Sequence, residues 1–384
     1  MNRVTSRVVQ PMPSPTADLL LVSPDHHAVG SGRQLELAAA ALQQAGWRVH
    51  VAVLTTGGSL ADRLEPIGVT VSRLGRRPTI DAAVVPRLIQ FSRRLQPAVV
   101  LAWGRQVAVP VAAARLVCRR LGLGSWRHFQ WLAQPPRSAP EQVAVQAADQ
   151  ILATDAAVAE GCAGQGGHGQ AVVVPPAAAA FAAAGGREQL ATALGLAPAN
   201  RWTLTVAPLV AASRLEQLLW AIDQMGVARD DLDHVIVGAG PLARRLARRA
   251  RIQELADRVH FFDRLDCLPE LLPQVELIMQ SGRVALGGCL FEGLAHGIPL
   301  VAIDTPESRA VIGDGDAGRL VPALPESEFA RRAIQLLEDS DLATACTAAG
   351  RRRVAEWFDP QASATALVAA VGGPTAGLSL NQSP

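Results

Sequence analysis

Three short glycine-bearing segments each follow an apolar run and precede a helix-length stretch, the arrangement in which backbone amides hold an anion. Residues 24–32 (PDHHAVGSG) place Gly30 just ahead of such a stretch. Residues 237–241 (VGAGP) carry Gly238 and Gly240, with Pro241 suited to a first helical turn. Residues 287–299 (GGCLFEGLAHGIP) open on Gly287 and Gly288 and put Glu292 on the first turns of a short helix. Glycine lets a backbone approach a bound group closely, and a helix N-terminus favours negative charge. The third segment has two readings. Glu292 complements the helix dipole, or it accepts hydrogen bonds from a ribose diol while the Gly287 and Gly288 amides hold a diphosphate. Taken singly, none of the three is more than a strand-to-helix turn.

The elements that would position these turns are legible as a rhythm. Short apolar runs at 19–22, 49–54, 69–72, 99–103, 151–154 and 172–174 alternate with helical stretches such as 34–44 and 81–95. That is the pattern of buried parallel strands joined by crossover helices. It breaks over 177–200, rich in alanine and closed by a Pro198–Asn200 turn, and restarts with strands expected at 203–206, 234–237, 259–262, 277–280 and 300–303. Amphipathic helices are expected at 328–337 and 344–357, and Asp359 is placed to cap a last helix through 371. Two doubly wound α/β domains follow: one over 17–176, a linker over 177–200, one over 201–357, a returning helix at 358–372, and disordered tails at 1–16 and 373–384. Ligands of such sheets bind at the carboxyl ends of the strands, so two facing domains would set two such edges across one cleft.

Composition excludes several classes. Half of the 384 residues are hydrophobic and 18% are charged, as expected of a globular chain rather than a disordered one. A formal net charge of +2 creates no field for nucleic acid. All 36 basic residues are arginine, so a Schiff-base lysine is unavailable to this chain and phosphate must be met by arginine or by amides. Five scattered cysteines without a CxxC pair argue against a disulfide framework or zinc site and for a reducing, cytoplasmic setting. No apolar stretch is long enough for a membrane span or signal h-region, which leaves peripheral membrane contact open. No metal site and no cofactor are expected.

Two segments have bland readings that weigh at least as much as sharper ones. Residues 241–251 hold five arginines, but Leu242, Leu246 and Ala250 form an inward stripe and the arginines a solvated face. Residues 126–132 (WRHFQWL) read equally well as a ligand platform or as a core strand at the cleft edge.

The order of the pieces resembles the GT-B-fold, family-4-like glycosyltransferases over roughly 18–372. Residues 96–100 (QPAVV) and 148–153 (ADQILA) are similar to that family's "kPDvv" and "aDrvia" strands. Residues 235–241 (VIVGAGP), 258–262 (RVHFF), 291–301 (FEGLAHGIPLV) and 314–321 (DGDAGRLV) resemble four further motifs in the right order. The resemblance implies a nucleotide-sugar donor, an acceptor of glycan, lipid or small-molecule type, retention of configuration and independence of metal. It also implies that Glu292 contacts the nucleotide ribose and that Gly30 meets the diphosphate. His128 matches the N-domain histidine near the acceptor, less well. Several family positions differ. Pro208 and Ser213 stand where a phosphate-binding arginine and lysine are usual, Val284 or Ala285 where the first glutamate of E-x7-E is, and Pro175–Ala178 where a PNG turn is. Arg214, one residue further on, is the candidate replacement cation. Loss of such cations sets a second reading beside the transferase: a catalytically impaired relative that binds a nucleotide sugar or serves as a partner subunit. An epimerase or phosphorylase on the same fold ranks lower, because the C-terminal motifs are family-4-like.

Overall fold

A computed structural model describes residues 18–26, 28–162, 171–182 and 185–372; the expected tails at 1–16 and 373–384 lie outside them. The described chain forms two wholly parallel sheets. The first contains β1 (Asp18–Ser23), β2 (Arg48–Val53), β3 (Thr70–Arg73), β4 (Val99–Trp103), β5 (Arg127–Leu132), β6 (Gln150–Ala153) and β7 (Val172–Val173). Their order is β3-β2-β1-β4-β5-β6-β7. The second contains β8 (Arg201–Val206), β9 (Leu232–Val237), β10 (Val259–Phe262), β11 (Leu277–Gln280), β12 (Leu300–Ile303) and β13 (Arg319–Val321), ordered β10-β9-β8-β11-β12-β13. Each sheet thus reverses beside its first strand, β1 against β4 and β8 against β11. Open α/β sheets bind ligands at such switch points.

The central strands are apolar on both faces because helices cover both. Leu19, Leu21, Val99 and Leu101 belong to one packed cluster and Leu20, Val22, Val100 and Ala102 to another. The first cluster runs on without interruption into Leu204, Val206, Ile278 and Leu290 of the second half, so one hydrophobic body joins the two sheets. Phe129 and Trp131 lie in it, with Trp131 stacked on Trp103 at 3.9 Å, so 126–132 is a core strand. On the Ala243–Ile252 helix Leu246 and Ala250 are buried while Arg245 and Arg249 pair with Glu216, which accounts for the arginine run without nucleic acid.

Asp359 caps the Pro360–Val371 helix as its residue type predicts, accepting from the Ala362 N–H at 2.8 Å. That helix lies on the first half: Ser363 donates to the Pro175 carbonyl and the Trp47 indole donates to Gly372. Two elements differ from expectation. Residues 177–200 hold a helix, Arg187–Leu194, whose Leu190, Ala191 and Leu194 are buried; the surrounding alanines and glycines obscured that face. β13 is a three-residue strand, too short to show a period of its own. Among the described residues no helix is long and apolar enough to cross a membrane.

Candidate functional site

The switch points of the two sheets meet at Gly30. Its φ of +59° suits only glycine readily, and a Cβ there would stand 2.9 Å from the Gly288 carbonyl oxygen. The loop after β1 therefore touches the loop after β11 backbone to backbone. The Gly30 N–H donates to Glu292 Oε1 at 3.0 Å, across 262 residues of sequence. Glu292 is 1% exposed, and its Oε2 has no hydrogen-bond partner among the described residues. Burial pushes its carboxyl from an ordinary 4.5 up to about 7. Its own backbone, the Gly30 amide and the charges of Arg33 and Arg63 pull weakly the other way.

On the Gly30 side of this contact lies a cavity of about 190 Å3, which Glu292 itself, behind Gly30, does not line. The first half contributes His26, Val29, Gly30 and Ser31. The second contributes the ends of β8 and β9 (Ala207, Pro208, Gly238, Ala239) and the turn Val284, Ala285 and Gly288. Ser31 begins the Ser31–Gln44 helix, whose N-terminus has no side-chain cap and no acidic residue in its first turn, the electrostatic setting that suits an anion.

The structure thus brings Gly30, Gly238 and Gly288 to one cavity. Gly240 and Gly287 do not line it. A Cβ on Gly240 would stand 2.4 Å from the Leu209 carbonyl oxygen, so this glycine lets the β9 turn cross the β8 loop. The amides of Gly287 and Gly288 do not fit the diphosphate role expected of them. They donate to the Val284 and Ala285 carbonyls at 3.0 and 3.3 Å, closing a tight turn at left-handed φ values of +62° and +66°.

Two further expectations are corrected by position. Arg214, at φ +51°, does not line the cavity. Its Nη2 donates to the Ala323 carbonyl at 3.2 Å, in a crevice with Ser281, Glu326 and Phe329. His128 is the second residue of β5, at the opposite end of the strand from the cleft. It is 0% exposed, with neither ring nitrogen hydrogen-bonded among the described residues. Burial foremost, with the charge of Arg115, drops its pKa from 6.5 to about 4, so it is a neutral core residue. Ser213 is buried and its hydroxyl donates to the Pro208 carbonyl at 2.6 Å, so it too faces inward. No arginine lines the cavity among the described residues.

Sequence reasoning passed over His26 and Ser31 as members of the site, although both lie in the segment singled out; their position next to Gly30 was the signal. It also passed over a part-buried cluster beside Glu292. The Arg33 guanidinium lies 4.3 Å above the Phe181 ring, and the Phe181 N–H donates to His296 Nε2 at 3.0 Å. These contacts tie 177–182 to both halves and have no local pattern to reveal them.

Residues 29–179 match the family described as Glycosyltransferase Family 4, and residues 201–339 match Glycosyl transferases group 1. The chain is 26% identical over 171 residues to the N-acetyl-alpha-D-glucosaminyl L-malate synthase of Bacillus anthracis, covering 44% of this chain and 45% of that protein. It is 29% identical over 178 residues to the alpha-D-kanosaminyltransferase of Streptomyces kanamyceticus, covering 46% and 44%. The chain thus spans under half the length of these curated relatives. The Anabaena protein HepE, solved in complex with UDP-glucose, superposes with a TM-score of 0.73 at 16% identity over 92% of this chain and 99% of its own. At that identity the likeness is one of fold.

Proposed function

Since the chain belongs to the family-4-like glycosyltransferases of GT-B fold, we propose that it moves a sugar from a nucleoside-diphosphate donor to an acceptor hydroxyl. The donor side is the second half, 201–357; the acceptor side is the first, 17–176; residues 177–200 join them. The observation that carries this reading is the meeting of both switch points at one cavity, with Gly30 bonded to Glu292. A volume of about 190 Å3 is below the ~300–1,000 Å3 of sites for drug-sized ligands. Admission of a nucleotide sugar therefore parts the two loops, and the Glu292 carboxylate exchanges the Gly30 amide for the ribose hydroxyls. The partnerless Oε2 is already buried and needs such a donor.

In the transfer the acceptor oxygen bonds to the anomeric carbon as the bond from that carbon to the diphosphate breaks, and the hydroxyl proton departs with the diphosphate. Retention of configuration and independence of metal are part of the proposal on the strength of the motif resemblance. So are a cytoplasmic location, consistent with five free cysteines, and a place in polysaccharide or glycoconjugate synthesis. Diphosphate departure is supported by the Ser31–Gln44 helix terminus rather than by arginine.

That last feature favours one other reading, a relative that binds the donor but turns it over poorly. Removing a donor to developing charge typically costs ~10²–10³ in rate. The test is a panel of nucleotide sugars with and without simple acceptors, following nucleoside-diphosphate release and the configuration of the product. Release with a retained anomeric centre supports the transferase. Donor binding without release selects the impaired relative.

A further inference from the structure

A second cavity, of about 600 Å3, lies between the two halves on the far side of the Ala285–Gly287 turn. Ala285 faces the first cavity and its neighbour Leu286 the second, so the wall between them is one turn thick. Leu286 holds a left-handed φ of +55°, an uncommon conformation for a bulky residue, and is 7% exposed. The strain is stored where the two cavities adjoin.

The chemistry of the second cavity is apolar. Phe291 and Phe358 meet edge to face at 4.9 Å in one wall, and Trp357 stands at the rim, 63% exposed. Pro175 and Pro176, at the turn where the sequence departs from its family, supply two rings and no N–H donor. Among the described residues four charged side chains line it, and each already has partners within the protein. Arg283 pairs with Glu307 at 2.8 Å, Arg353 donates to the Val311 and Ala310 carbonyls, and Asp155 accepts from the Val158 N–H and the Thr154 hydroxyl. A charged or many-hydroxyl ligand would find few open partners here and would lose its water without replacement. The volume suits a ligand of drug size.

We infer that this cavity receives the acceptor, and that the acceptor presents its hydroxyl from an apolar body rather than from a polyol. The inference rests on the transferase reading for the word acceptor, and on the cavity itself for the apolar body. Its occupant lies one turn from the donor diphosphate, so a hydroxyl at its edge needs to pass only Leu286.

The probe is 4-methylumbelliferone, a fluorescent fused-ring phenol, with myo-inositol as the polyol comparison. Ala157 and Ala310 are exposed residues on opposite walls, so Ala157→Trp and Ala310→Trp fill the cavity without disturbing the core. Calorimetry is expected to show binding of 4-methylumbelliferone to the wild type, at least tenfold weaker binding to each variant, no binding of myo-inositol, and unchanged affinity for UDP in all three proteins. With nucleotide sugars, umbelliferyl fluorescence should fall as the glycoside forms in the wild type and persist in the variants. Absence of 4-methylumbelliferone binding, or binding that both tryptophans leave intact, overturns the inference. So does pocket-dependent binding with sugar transfer to myo-inositol instead. Failure of the wild type to bind any of UDP, GDP and ADP would instead strike the donor reading, which keeps the two failures apart.

Discussion

Pro208→Arg should accelerate donor cleavage. Pro208 is exposed, lines the donor cavity beside Gly238 and Ala239, and stands where the family resemblance implies a phosphate-binding arginine. The substitution costs the loop little. The backbone carbonyl at 208 keeps its hydrogen bonds from the Val210 N–H and the Ser213 hydroxyl, and proline contributed no N–H to lose. A guanidinium about 4 Å from a departing diphosphate oxygen gains about 4 kcal/mol at an effective dielectric near 20, or about 10³ in rate. Water at an exposed position weakens this, so about 10²-fold is the expectation, at the lower end of the measured range for such donors. Nucleoside-diphosphate release from a UDP-sugar is measured for wild type, Pro208→Arg and Pro208→Gln, the last supplying polar length without charge. A Pro208→Arg rate no higher than that of Pro208→Gln, with UDP bound by both, would refute the argument that missing positive charge limits this site.

Arg214→Ala should leave turnover within about twofold and cost about 1.5–3 kcal/mol of stability, the worth of a guanidinium bond to the Ala323 carbonyl; a large loss of rate would return Arg214 to the site. Glu292→Gln should weaken UDP binding by about 1–2 kcal/mol in calorimetry, the scale of hydrogen bonds to a charged group; unchanged affinity would leave Glu292 only its contact with Gly30. The same variant should change the pH dependence of stability. Glu292, raised from 4.5 to about 7, contributes in full below 4.5, and about 3 kcal/mol is lost as pH rises through 7. His128 and His234, lowered from 6.5 to about 4 and about 3, act oppositely: their contribution is full above 6.5 and lost as pH falls through those values. Urea midpoints of Glu292→Gln should therefore rise more steeply with pH between about 4.5 and 6.5 than those of the wild type, and parallel profiles would contradict the burial argument.

The doubly wound halves were legible because parallel strands buried on both faces read as apolar runs, and each run ended at a turn residue or helix. Gly30 was legible for a related reason, since a strand-to-helix turn with positive φ asks for glycine. What the sequence could not place was direction. Arg214 is one residue from the family's lysine position, but its side chain, on a left-handed backbone, bonds to Ala323. His128 lies on the expected strand, yet parallel register with Val100 sets it at the end remote from the cleft. The Gly30–Glu292 bond joins residues 262 apart and leaves no trace in spacing. The apolar cavity is assembled from short pieces of both halves, none of them unusual in isolation.

The central claim is that a nucleoside diphosphate binds where Gly30, Gly238 and Gly288 converge, and one comparison tests it directly. Ala239 is exposed and lines that cavity, and its carbonyl accepts from the Leu209 N–H through backbone alone, so Ala239→Trp fills the space without breaking the turn. UDP, GDP and ADP are each titrated into the wild type and into Ala239→Trp; at least one should bind the first, and bind the second at least tenfold more weakly, with thermal unfolding unchanged between them. Equal affinity of that nucleotide in the two proteins, or binding of none of the three by the wild type, would contradict the account.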